Sequence, residues 1–171
     1  MRPKNDLPIE ILREHLEVRE NGLVYWKFSR RRRILSRPAG TQHPRGYWQI
    51  SLVVDGINYR LYSHRVIFAM INGFWPPEET DHKNEIKGDN VIDNLRSASC
   101  SENKCNRGKQ ANNTSGLKWV KFDKRRRKPW RAAVRLNGSV REKGGFSTKE
   151  AAFTWASIVE KQLHGEFYNP G

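Results

Sequence analysis

The chain has 171 residues, enough for one ordinary domain or two small ones, and a hydrophobic content of 36% points to shallow cores beneath much polar surface. Lys and Arg total 32 against 18 Asp and Glu, a formal net charge of +14, so a polyanion is the first partner to consider. No apolar stretch approaches the ~20 residues of a membrane span and no amphipathic anchor is evident, which favours nucleic acid over an anionic membrane. Met1 to Asp6 lacks the apolar core of a secretory signal, so a reducing cytoplasm is expected. Cys100 and Cys105 then read as thiols, and their spacing fits no usual zinc pair.

In chain order, apolar positions from Leu7 to Leu16 have helical spacing, with Pro8 tolerated in the first turn. Gly22 then introduces an aromatic and β-branched run, Leu23 to Phe28, and Tyr47 to Val54 alternates in the same way. Asp55-Gly56 is a two-residue hairpin signal with Ile57 to Tyr62 as the return strand. Between these strands, Arg30, Arg31, Arg32 and Arg33 repel one another unless an anion lies close, which makes them candidate phosphate contacts on a loop.

From Ser63 the pattern turns helical. Ser63 is the expected cap, Val66, Ile67, Met70 and Ile71 share a face, and Asn72-Gly73 ends the helix. His64, alone in the first turn, reads as structural. Trp75-Pro76-Pro77 is a stiff connection into Glu78 to His82. Lys83 to Asp93 has the Gly, Asp and Asn content of a loop closed by side-chain to backbone hydrogen bonds. Ser99 or Ser101 can then cap a short helix carrying Asn103.

The polar, Asn-rich stretch from Gly108 to Ser115 reads as a linker. Beyond it, Leu117 to Phe122, Trp130 to Leu136 and Val140 to Phe146 are expected as three short strands, joined through Lys124 to Lys128 and through a type I′ turn at Asn137-Gly138. Ser147 or Thr148 caps a closing helix in which Ala151, Ala152, Trp155, Ala156, Val159 and Leu163 lie near one face, with Glu150 reinforcing the cap. The fold class is therefore α+β. The expected divisions are 1–62, a β-rich region contacting nucleic acid; 63–109, a core; 110–115, a linker; and 116–171, a small three-stranded sheet on one helix.

The chemistry concentrates at Asp81-His82, with Asn94 and Asn103 downstream. A magnesium or manganese ion prefers oxygen ligands and keeps several waters, so a carboxylate and an amide carbonyl together with phosphate oxygens suffice, and Asp81 and Asn103 can supply them. His82, with an unperturbed pKa of ~6.5, suits removal of a proton from an attacking water. Adjacent residues on a strand point to opposite faces, so Asp81 and His82 can serve one phosphate only where the backbone leaves regular pairing. Asn94 can pin the Lys83 to Asp93 loop, or can be an ordinary turn residue.

Thr80-Asp81-His82-Lys83, Gly88-Asp89-Asn90, Asn94-Leu95-Arg96 and Asn103 resemble the HNH homing endonucleases of phages and mobile introns, in the variant whose last His is replaced by Asn. Ser63 to Ala69 resembles the lead-in helix of that family, and the likeness spans about Arg60 to Arg107. It implies a ββα-metal nuclease with His82 as general base, Asp81 and Asn103 on one divalent metal, and Asn94 bracing the loop. Asn106 is a weaker competitor for the place of Asn103. The implied setting is the cytoplasm of a phage-infected bacterial host.

Asn113 to Pro170 resembles the Apetala/ethylene-response DNA-binding domain, on Ser115-Gly116, Val120, Trp130-Arg131-Ala132, Gly144-Gly145-Phe146, Ala151-Ala152 and His164-Gly165. That likeness implies a sheet set into a duplex groove, and alternation makes Lys118, Arg131, Arg135 and Arg141 the best exposed contacts. Trp130 and Trp155 read as packing residues. Trp119 departs from that domain, which usually carries Gly there.

The leading reading is a metal-dependent, site-specific DNA endonuclease acting on double-stranded DNA, monomeric or dimeric, with a nick as the simplest product of one site. A DNA-binding regulator that has lost cleavage retains every basic and aromatic feature, but needs none of Asp81, His82, Asn94 and Asn103. An RNA-binding protein fits the charge equally well.

Overall fold

A computed structural model describes residues 7–28, 35–136 and 138–169. It is a mixed α/β structure with several small antiparallel sheets and, among the described residues, four α-helices. The residues divide into two compact units on either side of the Ala98/Ser99 bond. Arg30 to Arg33 and Asn137 lie outside the described residues.

The first unit begins with helix α1 (Ile9–His15), whose Leu12 is wholly buried, and runs directly into a two-stranded sheet of β1 (Leu16–Val18) and β2 (Val24–Trp26). A second sheet has the order β3 (Thr41–Gln42), β4 (Trp48–Val54), β5 (Ile57–Tyr62). Its β4–β5 hairpin turns on Asp55 (φ 51°) and Gly56 (φ 76°), the positive-φ pair that matches the twist of two strands joined by two residues. Helix α2 (Ser63–Asn72) follows without a break, and Gly73 closes it in the left-handed conformation with its N–H on the Ala69 carbonyl. Ser63 does not cap this helix: the N-cap is Tyr62, and the Ser63 hydroxyl is buried with no hydrogen-bond partner among the described residues. The strand leads straight into the helix, so Ser63 already has helical geometry and its side chain points inward.

β6 (Glu79–His82) and β7 (Leu95–Ala98) form an antiparallel hairpin joined by the long 83–94 loop. The core of the unit is built from Leu12, Leu16, Val24, Ile50, Leu52, Leu61, Val66, Ile67, Phe68 and Leu95, so α2 packs against both the hairpin and the larger sheet.

The second unit opens with helix α3 (Cys100–Asn106), capped by Ser99: its hydroxyl accepts the Glu102 N–H while the Glu102 carboxylate accepts the Ser99 N–H. β8 (Val120–Phe122), β9 (Trp130–Leu136) and β10 (Ser139–Phe146) make an antiparallel sheet in the order β10-β9-β8. Helix α4 (Lys149–His164), capped by the Thr148 hydroxyl on the Ala151 N–H, packs on it through Ala152 and Ala156, whose small side chains let the backbone come close to Val120, Ala132 and Val134. The first strand is shorter than alternation suggests. Leu117 to Trp119 is a turn, and Trp119 sits at φ 66°, a region that favours glycine.

Candidate active site

The β6–β7 ladder sets Asp81 opposite Arg96 and His82 opposite Leu95, and continues into a bond from the Lys83 N–H to the Asn94 carbonyl. Regular pairing therefore runs through both Asp81 and His82, and the departure from the ladder that alternation calls for comes only after them, at Asn84. Alternation sends the two side chains to different sides. Asp81 meets the guanidinium of Arg96, whose Nε and Nη2 lie 2.9 and 2.8 Å from Oδ2. The ring of His82 faces the ring of His64, 5.0 Å between centroids, with Tyr47 at 6.2 Å. Asp81 and His82 are each only 5% exposed.

His82 Nε2 lies 2.9 Å from the side-chain oxygen of the buried Asn90. An amide oxygen can only accept, so Nε2 carries the proton and the neutral ring has its lone pair on Nδ1. Asn94 ties the loop that carries Asn90: its Oδ1 accepts the Asn84 N–H at 3.1 Å, and its Nδ2 donates to the Asn84 side chain at 2.9 Å and to the Asp89 carbonyl at 2.7 Å. Gly22 lies against the backbone of the same loop. A Cβ there would sit 2.5 Å from the Val91 nitrogen and 2.7 Å from the Asn90 carbonyl carbon, at a φ of 72° that already disfavours side chains.

Three participants have no site role in the reading of the sequence. Asn90 is the partner of His82, Arg96 that of Asp81, and His64 closes an aromatic group with Tyr47, Tyr62 and His82. The His64 pKa is pushed down to about 3, first by burial and then by His82 and Arg65, so the ring is neutral at pH 7. Pairing residues 79–82 with 95–98 would have exposed the Arg96 contact. No local pattern marks His64, whose neighbour lies across a helix–hairpin packing.

Asn103 is half-buried on α3 in the second unit; Asn106, on the same helix, is buried. Asp81 and Asn103 offer hard oxygen donors, and the described residues contain no group of three or more His, Cys, Asp and Glu able to enclose a metal ion. A carboxylate or an amide oxygen suits a hard cation that completes its shell with water and phosphate rather than an all-protein cage.

The basic candidates separate. Arg135 is exposed and Arg131 partly so, on the face of β9 opposite to that of the buried Ala132 and Val134, where Lys121 joins Arg131 by register. Arg131 is ion-paired with Glu142. Arg141 is exposed but stands opposite Val134, hence on the other face from Arg131 and Arg135. Lys118 is not an exposed contact: it is 6% exposed and its ammonium is ion-paired with Glu160. The turn at Leu117 to Trp119 breaks the alternation that would have put it outside. Trp119 packs at the edge of the second core, its ring 5.9 Å from that of His164, and Trp130 and Trp155 pack there too. No helix of the described residues is long and apolar enough to cross a membrane.

No curated protein gives a match. Among solved structures, the chain is similar to one described as "DNA binding and cleavage by the HNH homing endonuclease I-HmuI", with 26% identity and a TM-score of 0.38, over 50% of this chain and 47% of that one. Less than half of that protein's length is thus spanned. Residues 61–105 match the model of the HNH_3 family of HNH endonucleases, and the matched segment contains Asp81, His82, Asn94 and Asn103.

Proposed function

We propose that the protein is a homing-type DNA endonuclease that hydrolyses phosphodiester bonds with one divalent metal, magnesium or manganese, and nicks one strand of double-stranded DNA per site. The observation that carries this reading is the hydrogen bond from His82 Nε2 to Asn90, within a segment matching HNH endonucleases. It leaves Nδ1 as the basic nitrogen, the atom that takes a proton from the attacking water. Asn94 keeps that bond in place by fastening the loop, and Arg96 orients the Asp81 carboxylate. Asp81 and Asn103 are the metal ligands; Asn103 is favoured over Asn106, which is buried. When bound, the cation supplies positive charge to the phosphate and to the departing 3′ oxygen.

The domain division proposed with this reading is a DNA-contacting region 1–62, a nuclease core 63–109, a linker 110–115 and an Apetala/ethylene-response-like DNA-binding domain 116–171. Three antiparallel strands on one helix, with Lys121, Arg131 and Arg135 on the face away from the core, support it. Arg30 to Arg33 and Arg141 are assigned to phosphate contact by charge, and Lys118 is withdrawn from that role by its burial. A bacterial host cytoplasm is the setting this reading carries.

The test is supercoiled plasmid bearing DNA from around the gene, incubated with purified protein and magnesium or manganese, with a chelator control. Metal-dependent conversion to the nicked circle is expected. Tight binding without cleavage under any metal would establish the regulator instead, and preference for structured RNA over duplex DNA at the same salt would establish the RNA-binding reading.

A further inference from the structure

A buried ion pair in the second unit has no part in the chemistry of His82 and Asp81. Lys118 and Glu160, 6% and 1% exposed, form an ion pair at 2.7 Å. Oε1 lies off the hydrogen-bonding direction of the ammonium, and neither carboxylate oxygen has a hydrogen-bond partner among the described residues. His164 Nδ1 lies 3.5 Å from the same oxygen. Such a pair contributes little to stability, because desolvating both ions consumes most of their attraction.

What the pair does visibly is hold a helix end. The Lys118 ammonium donates to the Cys105 carbonyl at 3.0 Å and to the Asn169 carbonyl at 2.7 Å, and the Asn169 side chain donates to the Asn106 carbonyl. Cys105 and Asn106 are the last two residues of α3, whose final carbonyls have no acceptor role within the helix. The other end is fastened by the Ser99–Glu102 box. A helix of seven residues is too short to hold its own place, so these two fastenings set it. Asn103 rides between them.

We propose that Lys118, held by Glu160, is a positioning residue for Asn103: the C-terminal sheet and helix set the α3 backbone, and so the second metal ligand. The inference rests on Asn103 being a ligand. It gives Lys118 and Glu160 a part in holding Asn103 that is separate from any contact with DNA.

The test uses the full chain and the double variant Lys118→Met with Glu160→Leu, which removes both charges together and avoids stranding one. Manganese binding is followed by electron paramagnetic resonance, cleavage by the manganese concentration at half-maximal nicking, and DNA affinity in chelator. The expected result is manganese affinity weakened about tenfold, with a matching shift in half-maximal nicking. The melting temperature should stay close to the wild-type value and the metal-free DNA affinity should be unchanged, and Lys118→Arg with Glu160 intact should recover part of the loss. Asn103→Ala is run in parallel. If Asn103→Ala weakens manganese binding and the double variant does not, Lys118 is not a positioning residue. If Asn103→Ala leaves manganese binding unchanged, the ligand assignment falls and takes this proposal with it.

Discussion

The two units bury polar groups by opposite means. In the first, Asp81 and His82 are held by residues of one hairpin: Arg96 lies across the ladder from Asp81, and Asn90 lies on the loop that joins the strands. That hairpin rests on a broad apolar core reaching from Leu7 to Leu95. In the second, the sheet–helix core is the small cluster Val120, Ala132, Val134, Ala152 and Ala156, and beside it an ion pair joins a turn to a helix 42 residues onward in sequence. The first arrangement is local, with its ion pair closed across 15 residues of chain. The second is long-range, and in both a bare charge is left when one partner of the ion pair goes.

That contrast can be broken most forcefully at Lys118. Lys118→Met should destabilise the chain by about 3–5 kcal/mol, while adding Glu160→Leu should restore most of it, because the stranded carboxylate rather than the lost bond carries the cost. Urea unfolding of the single and double variants measures this, and equal stabilities would show that Glu160 reaches water. Next in size is Gly22→Ala. The strained φ and the approach to Asn90 and Val91 together should cost about 2–3 kcal/mol and lower cleavage, since the displaced loop carries the partner of His82. Unchanged unfolding and cleavage would mean that the loop shifts freely.

A smaller effect tests the aromatic group around His82. The His64 pKa is about 3 in the folded chain against 6.5 ordinarily, so between those values the unfolded chain binds the extra proton. Its contribution is fully present above pH 6.5 and is lost as pH falls toward 3. At pH 4.5 the loss should be on the order of 2 kcal/mol, and His64→Gln should lack it. Parallel stability curves for the two proteins between pH 7 and 4.5 would show that His64 is solvated.

The same contrast explains what could be read before the structure. The β4–β5 hairpin is legible because Asp55-Gly56 dictates both turn and register, and the Asn72-Gly73 helix end because one left-handed residue does the work. The loop around Asn94 is legible for a similar reason: its bonds reach 5 or 10 residues along the chain. Lys118 is not. Its direction depends on Trp119 adopting a backbone conformation that its side chain disfavours, held by contacts distant in sequence: packing against His164 and the second core, and the Ala133 N–H on the Trp119 carbonyl. Nor is His64, which is 18 residues from His82 and meets it only because α2 packs on the hairpin. Ser63 offers the composition of a cap, but the strand before it leaves no turn for a cap to close.

The central assignment is His82 as general base, and the most direct measurement is plasmid nicking by His82→Ala at saturating manganese beside the wild type, with DNA affinity in chelator as the control. A base at this position predicts a loss of at least about 100-fold in nicking rate with DNA affinity unchanged. Equal nicking by the two proteins would contradict it.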